Sequence, residues 1–342
     1  MTHARPRVLL LYTGGTIGMT EHPESGALVP LDFDNLEALL PELRRLEVDL
    51  EVRELPAQDS SNIGPANWLE MASTVEQAYA HFDGFVLLHG TDTMAYTTSA
   101  LSFLFENLGK PVVVTGSQLP LGKLRTDGVE NMITAIQIAA DGHVQEVCVY
   151  FGSRLYRGNR THKHNTEHFD AIDSPNLAPL AEAGIHLRYN DAELITADAQ
   201  QFKVHSQLDA RVGLVKFHPG MPTALLEAQL SSEAVQVVVL ETFGSGNVPS
   251  DPGTLDALAR AVDSGKWLVN ITQCATGFVE QGLYETSSAL EKLGITPGAD
   301  LTTEAAITKS MWLLTWCETH AEFERAFLHS HRGELTNFSV LK

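Results

Sequence analysis

The chain predicts an α/β protein in two parts, a larger N-terminal domain built on a mostly parallel sheet flanked by helices and a smaller C-terminal parallel α/β domain. Three observations carry this. Short apolar runs rich in β-branched residues recur along the sequence, stretches with apolar residues every three or four positions lie between them, and 342 residues exceed what one core usually organises. The continuous runs suit strands buried on both faces, and their alternation with helical patterns suits parallel layers.

The strands are expected at Val8 to Tyr12, Phe85 to Leu88, Val112 to Thr115 and Val147 to Phe151, then at Val212 to Phe217, Val235 to Leu240 and Trp267 to Thr272. Helices are expected at Trp68 to His81, Thr97 to Leu108, Gly128 to Ala140 and Thr254 to Ser264. A polar stretch from Tyr189 to Ala210, without a long strand, separates the two series. It divides the chain into residues 1–190, a linker over 191–211, and residues 212–342. No 20- to 50-residue period and no low-complexity tract suggests a solenoid or a tail.

Composition narrows the function. Acidic residues outnumber basic ones by 43 to 23, and a net charge of -20 repels the phosphates of nucleic acids and anionic membranes. The apolar run after Arg7 is too short for a signal-peptide core, and Pro, Gly or charge interrupts every stretch that approaches the roughly 20 residues of a membrane span. Cys148, Cys274 and Cys317 are too scattered for a disulfide framework or a structural zinc site. A cytoplasmic protein with reduced thiols is the expectation.

Chemistry concentrates where strands end. The first strand runs into Thr13-Gly14-Gly15-Thr16-Ile17-Gly18, placing glycines and hydroxyls at the carboxyl edge of a parallel sheet, where ligands of open α/β sheets bind. Thr16 is a candidate nucleophile there, beside the alternative of a tight turn with capping threonines. A dinucleotide site needs Gly-x-Gly-x-x-Gly opening a helix, whereas here the glycines are adjacent and Glu21 to Pro30 reads as loop. The second exit, His89-Gly90-Thr91-Asp92-Thr93-Met94, offers a hydroxyl and a carboxylate, with a helix N-cap as the other role for Asp92. After the strand ending near Phe151 comes Arg157-Gly158-Asn159-Arg160-Thr161-His162-Lys163. Lys163, if partly desolvated in a cleft beside Thr91 and Asp92, is a candidate base toward a hydroxyl or water.

These three exits together resemble the asparaginase and glutaminase family, and the phrases Tyr12 to Met19, His89 to Met94 and Arg157 to Arg160 resemble its cytoplasmic type I bacterial branch. The likeness continues through Asp173-Ser174-Pro175-Asn176-Leu177, Phe217-His218-Pro219-Gly220, Gly246-Asn247 and Asn270-Ile271-Thr272-Gln273-Cys274, nearly the whole chain. It implies hydrolysis of L-asparagine, with Thr16 as nucleophile, Thr91 as second hydroxyl, and Lys163 with Asp92 handling protons. It also implies a homodimer, alone or paired into a tetramer, with no cofactor. Asp59, Ser60 and Ser61 would hold the substrate's α-carboxylate and α-ammonium, with Gly15, Gly90 and Asp92 alongside and Ser117 near the amide. From the residues alone, Asp59-Ser60-Ser61-Asn62 reads first as an N-cap cluster before the helix at Trp68, and the resemblance is what turns it into a substrate site.

Two departures from the family pattern matter. The lid tyrosine usual after the nucleophile is missing, since Glu24-Ser25-Gly26-Ala27-Leu28-Val29-Pro30 stands there. In the effector pocket of some type I enzymes Cys274 matches, but Glu241 replaces an arginine and His162 a threonine. A carboxylate where an effector's carboxylate would sit is unfavourable, so asparagine activation is expected to be weak or absent. The run His162, His164, Glu167 and His168 is a weak metal signal that depends on helical spacing, and Cys148 reads as a buried thiol. Competing readings are an enzyme that also accepts glutamine, the amidotransferase subunit that serves glutamyl-tRNA, for which the first strand at Val8 leaves no room, and a sensor without turnover.

Overall fold

The computed structural model describes residues 4–21, 28–30, 36, 40–196, 200–280 and 285–336. The chain forms two compact units, Met1–Ser206 and Gln207–Lys342, and their division falls within the polar 191–211 stretch.

The N-terminal unit is organised by an eight-stranded sheet. Its strands are β1 Arg7–Gly14, β2 Asp49–Gln58, β3 Gly84–Leu88, β4 Val112–Thr115, β5 Val147–Phe151, β6 Arg154–Arg157, β7 Ala181–Ala183 and β8 Leu187–Tyr189, in the order β8-β7-β6-β5-β4-β3-β1-β2. The five strands β2, β1, β3, β4 and β5 are parallel, and β6, β7 and β8 continue the sheet as antiparallel hairpins. Burial explains the continuous apolar runs. Val8, Leu10 and Tyr12 pack with Met132, Ala135 and Ile136 on one face, while the alternate residues Leu9 and Leu11 are equally inaccessible on the other. The helices are α1 Pro65–Ala78, α2 Met94–Leu104 and α3 Gly128–Asp141.

The C-terminal unit has a four-stranded parallel sheet, β9 Val212–Lys216, β10 Val237–Thr242, β11 Trp267–Thr272 and β12 Thr296–Pro297. Its helices are α4 Thr223–Leu230, α5 Pro252–Asp263, α6 Glu285–Lys292, α7 Thr303–Leu313 and α8 His320–Phe327. Val238, Leu240 and Leu268 form its core with Leu226 and Leu230 of α4 and Leu258 of α5.

Three local expectations change. The helix expected to reach Leu108 ends at Leu104, because Phe105–Glu106 is extended and pairs antiparallel with Lys203–Val204. The stretch expected to be loop up to Pro30 contains a hairpin, in which Met19–Glu21 pairs with Leu28–Pro30; residues 22–27 lie outside the described residues. The histidine run 164–168 is not helical, so the i, i+4 geometry needed for chelation does not arise. Among the described residues no group of three His, Cys, Asp or Glu side chains could hold a metal, and no helix is long and apolar enough to cross a membrane.

Candidate active site

Strand register assembles the site. β1 runs parallel to β3 with Tyr12 opposite Leu88, so the two chains leave the sheet side by side. The Thr13 hydroxyl donates to the Leu88 carbonyl at 2.9 Å and ties the exits together. Beyond it the backbones nearly touch: a Cβ on Gly15 would lie 2.4 Å from the Gly90 nitrogen, and one on Gly90 would lie 2.6 Å from the Ser60 Oγ. Gly15 also has φ +90°, which only glycine adopts without strain. The chain then makes a single 3-10 turn, Thr16–Gly18, whose Ile17 is fully buried while Thr16 stays half-buried at the surface of a cleft.

On the other side of β1, a register shift after Tyr12 sets Gly14 opposite Gln58 and brings the end of β2 to the same edge. Asp59 caps the following turn, Ser60–Asn62. Its Oδ1 accepts from the Ser61 backbone N–H at 2.8 Å and the Ser61 hydroxyl at 2.7 Å, and these bonds hold its carboxyl below the usual carboxylate range. Ser60 is buried, and its carbonyl accepts from the Thr93 hydroxyl at 2.7 Å.

Helix α2 connects the second and third exits. Trp68 Nε1 donates to Thr97 Oγ1 at 2.9 Å, Thr97 Oγ1 contacts His89 Nε2 at 2.9 Å, and His89 Nδ1 contacts the Gly90 carbonyl at 2.7 Å. An indole only donates and a carbonyl only accepts, so the relay has one polarity: Thr97 donates to a neutral His89 protonated at Nδ1. Complete burial pushes His89 down to about 4, against the opposing pull of the Gly90 carbonyl. One residue further along α2, the Thr98 hydroxyl lies 2.9 Å from the Gly158 carbonyl, which also accepts from Thr161 Oγ1 at 2.8 Å. The buried turn Gly158–Arg160 is thereby fixed, and the short strand His162–Lys163, paired with Ile172–Asp173, carries the lysine back to the second exit.

Lys163 Nζ donates to Thr91 Oγ1 at 2.7 Å and to Asp92 Oδ1 at 2.6 Å. The lysine side chain is only 15% exposed, whereas that of Asp92 is 63% exposed. The cation is therefore set inside the cleft with its counter-charge at the mouth. The cleft encloses about 560 Å³ and is lined by Thr16, Gly15, Asp59, Ser60, Gly90, Thr91, Asp92 and Lys163, together with Tyr12, Gly14, Met19, Ala57, Gln58 and Gln118. Hydroxyls, a cation and a carboxylate thus converge in a concavity sized for a small polar molecule, an arrangement suited to nucleophilic chemistry with proton transfer.

Ser61 and Ser117 are not among the lining residues. Ser61 is exposed and bound to Asp59, while Ser117 is buried and donates to the Leu119 carbonyl at 2.6 Å. Gln118, next to Ser117, reaches the cleft instead. Tyr12 and Gln118 lack any sequence cue: Tyr12 lies in an apolar strand and Gln118 in an ordinary loop.

Two family models match the chain, Asparaginase, N-terminal, over residues 7–194, and Glutaminase/Asparaginase C-terminal domain over residues 211–327. The chain belongs to the asparaginase family. It is 42% identical to L-asparaginase 1 of Escherichia coli (strain K12) over 331 residues, which cover 96% of this chain and 98% of that one. The crystal structure of L-asparaginase I from Vibrio cholerae superposes with a TM-score of 0.88 at 40% identity, covering 98% of this chain and all of the other. The thermostable L-asparaginase from Thermococcus kodakarensis gives a TM-score of 0.90 at 30% identity, covering 97% and 99%.

Of the three residues singled out for effector binding, His162 is exposed in the N-terminal unit, and Glu241 and Cys274 belong to the C-terminal unit. Cys274 is exposed. Glu241 is buried at the end of β10, where Lys216 Nζ lies 2.9 Å away and the Thr303 hydroxyl donates to it at 2.5 Å.

Proposed function

We propose that this protein hydrolyses the side-chain amide of free L-asparagine to L-aspartate and ammonia, through an ester on Thr16. The observation that carries the reading is the Lys163 ammonium held between Thr91 and Asp92 in the cleft that Thr16 also lines, in a chain of the asparaginase family. Covalent catalysis suits an amide, whose carbonyl resists water, because it divides one high barrier into two lower ones. The Thr16 oxygen attacks the side-chain carbonyl carbon. The C–N bond breaks, the threonine proton passes to the leaving nitrogen, and ammonia departs. Water directed by Thr91 and Lys163 then cleaves the β-aspartyl ester, returning a proton to Thr16 as aspartate is released. Backbone N–H groups at the two glycine turns stabilise the oxyanion formed in each step.

Asp59 and Ser60 bind the α-carboxylate and α-ammonium, with Asp92 contributing its charge to the ammonium. The enzyme acts in the cytosol as a homodimer, alone or paired, and its active site needs no metal or organic cofactor; these features rest on the family resemblance. A second reading, in which glutamine is also accepted, draws on the 560 Å³ of the cleft and on the small penalty, about 1–3 kcal/mol, that one methylene imposes in such pockets.

Acid quenching of the protein during turnover of L-asparagine, followed by peptide mapping, tests the covalent step. The expected product is an aspartyl ester on the peptide that contains Thr16. An ester found on the peptide that contains Thr91 would reverse the two roles.

A further inference from the structure

We propose that Gln118 is a positioning residue that sets the direction in which the Thr91 hydroxyl donates its proton, an inference that rests on the roles of Thr91 and Lys163 given above. Gln118 leaves the sheet just after β4 and is anchored at both ends. Its backbone N–H lies 3.1 and 3.0 Å from the two carboxylate oxygens of Asp127, which also accept from the Leu119 N–H at 3.1 Å and from Asn131 Nδ2 at 3.2 Å. At the tip of the side chain, Nε2 donates to the His168 carbonyl at 3.2 Å. A carbonyl only accepts, so the amide nitrogen must face His168 and the amide oxygen must face the other way. That oxygen lies 3.2 Å from Thr91 Oγ1.

On the opposite side of Thr91, the Lys163 ammonium only donates, and it directs one N–H to Thr91 Oγ1 and another to Asp92. A hydroxyl has a single proton. With one of its lone pairs engaged by Lys163, Thr91 gives that proton to Gln118, and the sequence Lys163, Thr91, Gln118, His168 runs in one donor direction throughout. The amide thus immobilises a hydroxyl that would otherwise rotate about its C–O bond. It does so at the group assigned to direct the attacking water, without itself carrying charge or exchanging a proton.

This separates two functions for one cleft-lining side chain. A residue that merely walls the cleft affects how well substrate binds, whereas one that orients Thr91 affects turnover. The test compares kcat and KM for L-asparagine in the wild type, Gln118→Leu and Gln118→Glu, with the thermal midpoint of each. Leucine keeps the bulk and loses the acceptor; glutamate keeps an oxygen acceptor toward Thr91. Gln118→Leu is expected to lower kcat by about 10- to 100-fold with KM within about 3-fold of wild type and an unchanged midpoint, the scale on which misplacing a reacting group acts. Gln118→Glu, which keeps the acceptor but loses the donor to the His168 carbonyl, is expected to recover part of that loss. Equal losses in the two variants, a change confined to KM, or an undiminished kcat in Gln118→Leu would overturn the role of Gln118 alone. A wild type that releases no ammonia would instead overturn the reading on which it rests.

Discussion

Replacing Glu334 by glutamine should cost the C-terminal unit a large share of its stability, and the size of the loss follows from the surroundings of one ion pair. Lys309 of α7 and Glu334 are both 0% exposed and 2.5 Å apart. The ammonium donates also to the carbonyls of Phe327, at the end of α8, and His329, each at 2.7 Å. The carboxylate in turn accepts from the N–H groups of His331 at 3.0 Å and Arg332 at 2.7 Å. The pair therefore joins α7 to the chain that follows α8. Burial pushes the Glu334 carboxyl up, but the Lys309 charge and the hydrogen bonds outweigh it and hold the group at about 2, below its ordinary 4.5. That depression is worth about 3 kcal/mol at neutral pH. Removing one partner of a buried pair independently costs about 3–5 kcal/mol, because the other charge is left uncompensated.

Glu334→Gln is thus expected to lose about 3–5 kcal/mol at pH 7, roughly 10–17 °C in Tm for a unit of this size. The sign of the pH dependence is fixed by the depressed folded pKa: the stabilisation is complete above 4.5 and disappears as pH falls towards 2. Urea unfolding followed through Trp312, which is 4% exposed and packs edge-on against His331, reports on this region. The gap between wild type and variant should narrow steadily below pH 4.5. A loss under about 1 kcal/mol at pH 7, or a gap that does not change with pH, would refute the argument.

Three further outcomes follow from the same structure. His89 is held neutral by burial at about 4 against an ordinary 6.5, so it favours the folded state above 6.5 and loses about 3 kcal/mol of that support as pH falls through 4; acid titration of the unfolding free energy of wild type against His89→Gln should show this difference. Gly15→Ala should reduce activity by at least about 100-fold, since the new Cβ would sit 2.4 Å from the Gly90 nitrogen and force the nucleophile's turn away from the second exit; steady-state kinetics measures it. Because the carboxylate of Glu241, paired with Lys216 and Thr303, would repel an effector carboxylate at its position, the rate should depend hyperbolically on asparagine; a Hill coefficient well above one, abolished by substituting Cys274 or Glu241, would contradict this.

The parallel strands β1, β3, β4, β5, β10 and β11 were legible because strands buried on both faces demand continuous apolar runs, and the chain supplies them at Val8, Phe85, Val112, Val147, Val235 and Trp267, whereas β9, a half-exposed edge strand, was legible only from the apolar residues that start at Val212. Strand β2 was not legible. As an edge strand it is half exposed, and charged residues and Pro56 interrupt its apolar positions. Phe105–Glu106 looked helical because its extended form depends on pairing with Lys203–Val204, about a hundred residues away. In the site, glycine-flanked threonines mark the strand exits, and the register of β1 against β3 brings them together. Gln118 and Tyr12 reach the cleft through backbone path alone, for which their residue types give no signal.

The most direct test of the central claim is ammonia release from L-asparagine and from L-glutamine by the purified wild type, Thr16→Ala and Lys163→Met. Robust release from asparagine by the wild type, lost in both variants, is the predicted result. A wild type that binds asparagine at millimolar concentration yet releases no ammonia would contradict it and identify a sensor built on an asparaginase fold.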